Sequence, residues 1–138
     1  GLKNPSNAQA IWLIEWKEFL INVDMIENAY SVKVDNRSVF GQSLKRIMQR
    51  GVIDKYIDGL NGDKQNVVVL ELGGNDSDFN WREVSLNPNY QHLPQTPVDE
   101  FSKLYSNAVD KLLKAGVKVV VCTIVPIDSS RFFNNFIF

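Results

Sequence analysis

Val67–Leu72 reads VVVLEL, valine and leucine interrupted by a single glutamate. A strand open to water on one face would alternate apolar with polar residues. This one does not, so it suits a central parallel strand covered on both faces. Parallel neighbours need long crossover connections, usually helical, so this run constrains much of what surrounds it. Val117–Val125 (VKVVVCTIV) has the same character, and Ala29–Val34 (AYSVKV) is shorter and partly alternating. All are expected as strands.

Helical spacing fills the intervals. Trp12, Trp16, Phe19, Leu20 and Val23 fall on one face, with Glu15, Lys17 and Glu18 mostly turned away, which predicts a helix from Ala8 to about Val23. Leu44, Ile47 and Met48, then Ile53, Tyr56, Ile57 and Leu60, predict helix on either side of Gly51, which ends one helix or weakens a longer one. A later helix has Thr96 as its expected hydroxyl cap, Pro97 in its first turn and Asp99 at its positive end. Its buried face is expected to carry Val98, Phe101, Leu104, Tyr105, Ala108, Val109, Leu112 and Leu113, and Gly116 stops it in the left-handed conformation. Helix and strand alternate, so the chain is expected to form right-handed crossovers and a parallel sheet within a three-layer α/β/α domain over residues 1–138.

Composition removes several function classes. Fifteen basic and sixteen acidic residues give a formal net charge of −1, with no basic run to meet nucleic acid. No apolar stretch approaches the ~18 residues that span a bilayer. Cys122 is the only cysteine, which excludes an internal disulfide and a cysteine-based zinc site. Within its apolar run it is expected to be buried and inert, and a lone thiol fits a reducing compartment, favouring the cytoplasm.

In open parallel sheets, ligands bind beyond the carboxyl ends of the strands. Three such ends are visible: VDNRSVFGQS (residues 34–43), LELGGNDSD (70–78) and TIVPIDSSR (123–131). The middle one has the strongest local logic. Gly73 and Gly74 permit backbone shapes and close approach that a Cβ would block. Asn75 offers N–H donors without charge, as a group stabilising an oxyanion should. The same residue types serve equally well to cap or turn a loop. Phe79, Trp81, Tyr90 and His92 lie in the long polar segment from Gly73 to Gln95, where they could wall a pocket or pack the loop onto the domain.

VVVLELGGND (67–76), preceded by NRSVFG (36–41), resembles the SGNH (GDSL-like) hydrolase family. NPNYQHLPQTPVDEF (87–101) and TIVPIDSSRFF (123–133) look like one bacterial branch of it. The resemblance implies a flavodoxin-like α/β/α fold, a small or carbohydrate-like ester substrate, and serine hydrolase chemistry needing no metal or cofactor. Family members carry a serine block, a glycine block, a G-x-N-D block and a D-x-x-H block. Gly73, Asn75 and Asp76 match the third, and Gly41 matches the second. The implied oxyanion hole is the Gly41 backbone N–H with the Asn75 side chain. Gly73 and Gly74 would let the loop come close, and Asp76 would hold it by hydrogen bonds.

The departures from the family are equally specific. Its nucleophile block follows the first strand and precedes the first helix, and only GLKNPSNAQ stands before the helix expected here. GQSL (41–44) imitates that block, but Ser43 lies too close to Asn75 for the helix, strand and helix that should separate them. Ser6 has no strand before it. His92 is the sole histidine, has Asn89 where an aspartate should stand, and precedes a helix instead of following the last strand. The chain is therefore expected to be the middle of such a domain, with nucleophile and base outside it. A missing first strand would leave a gap between AYSVKV and VVVLEL. Residues beyond this sequence, a partner chain or a rearranged sheet would have to fill it, because a strand's worth of unpaired buried backbone is too costly. The alternative is a degenerate module that keeps the pocket and binds an acyl or sugar ligand. A nucleotide-binding module fits poorly, since GGND lacks G-x-G-x-x-G spacing and no P-loop lysine follows.

Overall fold

The computed structural model describes residues 8–13, 23–62, 64–124 and 128, the first of these segments by its backbone. In chain order the elements are β1 (Ala8–Leu13), α1 (Val23–Tyr30), β2 (Val32–Asn36), α2 (Leu44–Gln49), α3 (Val52–Asp58), β3 (Gln65–Leu70), α4 (Gly74–Ser77), α5 (Trp81–Leu86), α6 (Val98–Lys114) and β4 (Lys118–Val121). The strands form one parallel sheet in the order β2-β1-β3-β4. The chain is thus an α/β fold on a small parallel sheet, with the doubly wound strand order in which β1 lies inside β2 and β3.

That order overturns the expected helix over Ala8–Val23. Its first part is a strand, in which Ala10 pairs with Val34 on one side and Val67 on the other, and Leu13 meets Leu70. The expected gap in the sheet is therefore closed by this chain's own residues, without a partner or an added segment. The physical reason is non-local. Two facing strand edges offer a segment laid between them two ladders of hydrogen bonds, and strand formation follows such context more than intrinsic preference. The rest of the expected helix, as far as Asn22, lies outside the described residues, as does Ser6.

Ala29 and Tyr30, expected to open a strand, instead end α1. Ser31 turns the chain at φ 51°, and β2 begins at Val32. Glu27 of α1 accepts a 2.6 Å hydrogen bond from the Val34 N–H, tying the helix to the outer side of β2. Gly51 does separate two helices: at φ 62° it ends α2's turn and opens α3.

The core forms between β3 and the α2, α3 and α6 helices. Leu44, Ile47, Ile53, Tyr56, Val68, Leu70, Leu72, Ala108, Leu112 and Val117 are its buried members. Each fully buried leucine, isoleucine or valine contributes about 1.5–3 kcal/mol, so this cluster dominates the fold's stability. Phe101, Leu104, Tyr105 and Val109 of α6 pack against it as the spacing predicts. Val98 and Leu113, at the ends of the same stripe, are exposed, because the sheet beneath α6 is shorter than the helix. The expectation of a fully buried last strand also fails. Val117 is buried and Val119 packs inward, but Val120 and Val121 are about half exposed at 48% and 54%, as an edge position allows. Cys122, just past this strand, is half-buried instead of sealed, and its N–H continues the ladder to Leu70 O at 2.8 Å.

Candidate active site at the strand tips

β3 delivers the chain through buried Leu72 to Gly73, where φ is +128°. A Cβ at this position would lie 2.7 Å from Ile124 Cδ1 and 3.1 Å from Phe101 Cζ. Gly73 is therefore required by its backbone conformation, and a Cβ there would also have to displace the end of the Ile124 side chain. The single turn of α4 follows at once, closed by Ser77 N–H to Gly73 O at 2.8 Å and by the Ser77 hydroxyl to Gly74 O at 2.8 Å. Asn75 and Asp76 are thus fixed directly over the end of a core strand.

The loop after β2 is organised locally. Asp35 pairs with Arg37 at 2.9 Å, and Asn36 Oδ1 accepts the Ser38 N–H at 3.0 Å. Gln42 N–H donates to Val39 O at 3.2 Å, closing a turn whose third residue, Gly41, has φ +70°. Glycine is the residue that adopts that angle there without strain. The peptide joining Phe40 to Gly41 is the turn's central one, so the Gly41 N–H takes no part in the closing bond. Among the described residues no hydrogen bond uses it. Ser43 then caps α2, its hydroxyl accepting the Arg46 N–H at 3.3 Å, and it is buried.

The two loops are tied together by neighbouring residues of one motif. The Asn75 side-chain amide donates to Gln42 O at 3.1 Å, one residue from the Gly41 N–H. Asp76, 1% exposed, accepts Leu44 N–H at 2.7 Å and Lys45 N–H at 3.3 Å, the free amides at the start of α2. It also accepts the Thr96 hydroxyl at 2.7 Å, while its own carbonyl takes the Thr96 N–H at 2.9 Å. Asp76 therefore joins the β3 tip, the α2 start and the approach to α6. Thr96 is not the cap expected from the sequence. Pro97 occupies that position with no side-chain bond to the helix, and the hydroxyl serves the buried carboxylate instead.

The aromatic candidates sit further along. Asp78 Oδ1 accepts both the Phe79 N–H (3.0 Å) and the Trp81 indole N–H (2.6 Å), and the two rings meet at 5.5 Å with a 52° tilt. The segment expected to be irregular thus holds a short helix, α5, with Trp81 at its start and Asn80 as its cap. His92 Nε2 lies 2.8 Å from Asn87 O, within its own loop, and Tyr90 is exposed. The structure brings Gly41, Gly73, Gly74, Asn75 and Asp76 together; Phe79 with Trp81, and Tyr90 with His92, have local surroundings of their own.

Two phenols carry shifted pKa values. Burial raises Tyr56, opposed by the Arg37 cation and reinforced by Asp35, and Arg37 lies 5.8 Å over the same ring. Burial likewise raises Tyr105, with a smaller contribution from Cys122. Neither buried hydroxyl has a hydrogen-bond partner among the described residues. Among those residues no cluster of His, Cys, Asp and Glu could hold a metal, and no helix they form is long and apolar enough to cross a membrane.

Thr96, Gln42, Phe101 and Ile124 went unrecognised as parts of this constellation in the sequence. Only TIVPIDSSR, as a neighbouring strand tip, pointed toward Ile124.

An α/β domain with a conformationally fixed glycine–amide–carboxylate cradle at its strand tips is what fold and site together define. Among solved structures, the fold is similar to that of an acetyl xylan esterase, AlAXEase. The TM-score is 0.58 at 20% identity, over 83% of this chain and 57% of that one. The chain thus spans little more than half of that esterase. No protein-family model matches the sequence, and no curated protein does.

Proposed function

We propose that this chain forms the oxyanion-binding part of an SGNH-type ester hydrolase acting on a small or carbohydrate-linked acyl group. The observation that carries the proposal is the 3.1 Å bond from the Asn75 amide to Gln42 O, which ties the Asn75 side chain to the residue that follows Gly41. Hydrolysis of an ester by a serine begins with attack on the carbonyl carbon, whose oxygen becomes negative. The acyl–oxygen bond then breaks, the alcohol leaves with the proton passed on by the base, and water releases the acid in a second, similar step. Gly41 and Asn75 stabilise the negative oxygen in both steps. In this reading the serine and the base come from outside the described residues, since Ser43 is committed as a helix cap and His92 is bonded to its own loop. The likeness to an acetyl xylan esterase supports an acyl substrate on a small molecule or sugar.

Asn75→Ala tests the proposal. Removing one oxyanion donor should lower kcat on p-nitrophenyl acetate by about 10²–10³ with little change in KM. Equal rates for variant and wild type would discard the oxyanion role. The same commitments of Ser43 and His92 favour a second reading, a binding module without turnover. It predicts that an acetylated xylo-oligosaccharide binds, by calorimetry, without release of acetate.

A further inference from the structure

We propose that Thr96 is a positioning residue for the oxyanion pair, acting through Asp76, an inference that rests on the esterase reading above. Thr96 stands just before α6 and is 3% exposed. Its N–H donates to Asp76 O at 2.9 Å, and the neighbouring Gln95 N–H donates to Asp78 O at 2.8 Å. Those two backbone bonds already fasten the segment to the α4 turn, and any residue but proline could make the first of them. What the hydroxyl adds is the orientation of a carboxylate. It donates to Asp76 Oδ1 at 2.7 Å, a short bond to an ionised acceptor and so of the strong kind. The other partner of Oδ1, the Lys45 N–H, is at 3.3 Å, while Oδ2 holds the Leu44 N–H at 2.7 Å. Without the hydroxyl, Oδ1 keeps only the long bond and the carboxylate is free to turn about its Cβ–Cγ bond.

Both oxyanion donors depend on that carboxylate. Asn75 is its neighbour in the chain, and the Leu44 N–H it holds lies shortly after Gly41. The Asn75 amide closes a ring by donating to Gln42 O at 3.1 Å. The stretch after Gly41 is thus clamped at Gln42 and at Leu44 by consecutive residues, and Thr96 steadies the charged one of the two. A shift of about 1 Å in a group that must meet developing charge can cost about 10²-fold in rate, so slackening this clamp should show in turnover.

The test is kcat and KM on p-nitrophenyl acetate in the full-length protein, for wild type, Thr96→Val, Thr96→Ser, Asn75→Ala and the double variant Asn75→Ala, Thr96→Val. Urea unfolding gives the folded fraction of each, so that kcat is expressed per folded molecule, and Thr96→Ala takes the place of Thr96→Val if valine prevents folding. Thr96→Val should lower kcat about tenfold or more at nearly constant KM. Thr96→Ser, which keeps the hydroxyl, should restore most of the loss. The double variant should lose much less than the product of the two single losses, because both changes damage the same donor pair. An independent effect on packing would multiply instead. Unchanged kcat in Thr96→Val, no rescue by serine, or losses that multiply, with Asn75→Ala impaired, would each overturn the positioning role alone. A wild type that does not hydrolyse the ester, or an Asn75→Ala variant as fast as wild type, would defeat the reading beneath it, and this inference with it.

Discussion

Asp76 shows how much a single buried carboxylate can organise. Its oxygens accept the Leu44 N–H, the Lys45 N–H and the Thr96 hydroxyl, so its removal strands three donors at once. Hydrogen bonds to a charged acceptor are worth about 1.5–3 kcal/mol each, and buried donors left without partners add their desolvation cost. Asp76→Ala should therefore lower stability by about 3–5 kcal/mol in urea unfolding. Thr96→Val, which removes one of the three, should cost about 1–2 kcal/mol. A loss within about 0.5 kcal/mol for Asp76→Ala would mean that the carboxylate does not hold the loops together. The phenols give stability a pH dependence. Tyr56 and Tyr105 have folded-state pKa values raised above 10.0, so each is neutral in both states well below that value. As pH rises past it, the unfolded chain releases protons that the folded chain still holds, and stability falls through that window. The urea midpoint should hold below about pH 9 and fall as pH rises through about 10 and beyond, and the double variant Tyr56→Phe, Tyr105→Phe should flatten the fall. Because neither hydroxyl has a partner among the described residues, the double variant should cost little at neutral pH.

At the scale of elements, the β3–α4 junction is the strictest. Gly73 must hold φ +128° in a space bounded by Ile124 and Phe101. Gly73→Ala should destabilise by about 2–3 kcal/mol, through backbone strain and displaced packing. Gly74→Ala, at the first residue of α4, carries no such positive φ and should cost clearly less. Chemical denaturation of the pair checks the contrast, and equal losses would remove the argument for a conformational requirement at Gly73. This junction was legible in the sequence because its causes are local: an apolar run, then glycines, then an amide and an acid. Gly51 was legible only as a weak point between two helical stripes; that it ends α2 and opens α3 came from the structure. Thr96 was misread because a hydroxyl before Pro97 has every local mark of a cap, while its actual partner, Asp76, stands twenty residues earlier in the chain.

For the whole molecule, the decisive element is β1, paired on both sides along Ala8–Leu13. A strand so placed opens only when the sheet itself opens. Backbone amides of residues 9–12 should then exchange as slowly as those of Val67–Leu70, near the rate set by global unfolding. Fast exchange there, with slow exchange in β3, would show that the sheet does not depend on this segment. The large ion pairs across the helical layer, Lys45 with Glu100 and Lys111 with Asp54, are partly exposed and add at most about 1 kcal/mol each. The fold rests on the apolar cluster and the strand ladders, not on them.

What this sequence determined unaided is what depends on near neighbours. That covers the parallel core strand β3, the α6 stripe, the left-handed Gly116 that ends it, and the grouping of Gly73, Gly74, Asn75 and Asp76 at a strand tip. Only the tertiary structure decided that Ala8–Leu13 is a strand, that Thr96 serves Asp76, that Val120 and Val121 face outward, and that Ile124 leans on Gly73. A helix closes its hydrogen bonds within one turn and writes its period into the sequence. A strand, or a buried carboxylate, finds its partners far along the chain, and no local pattern records which partners those are.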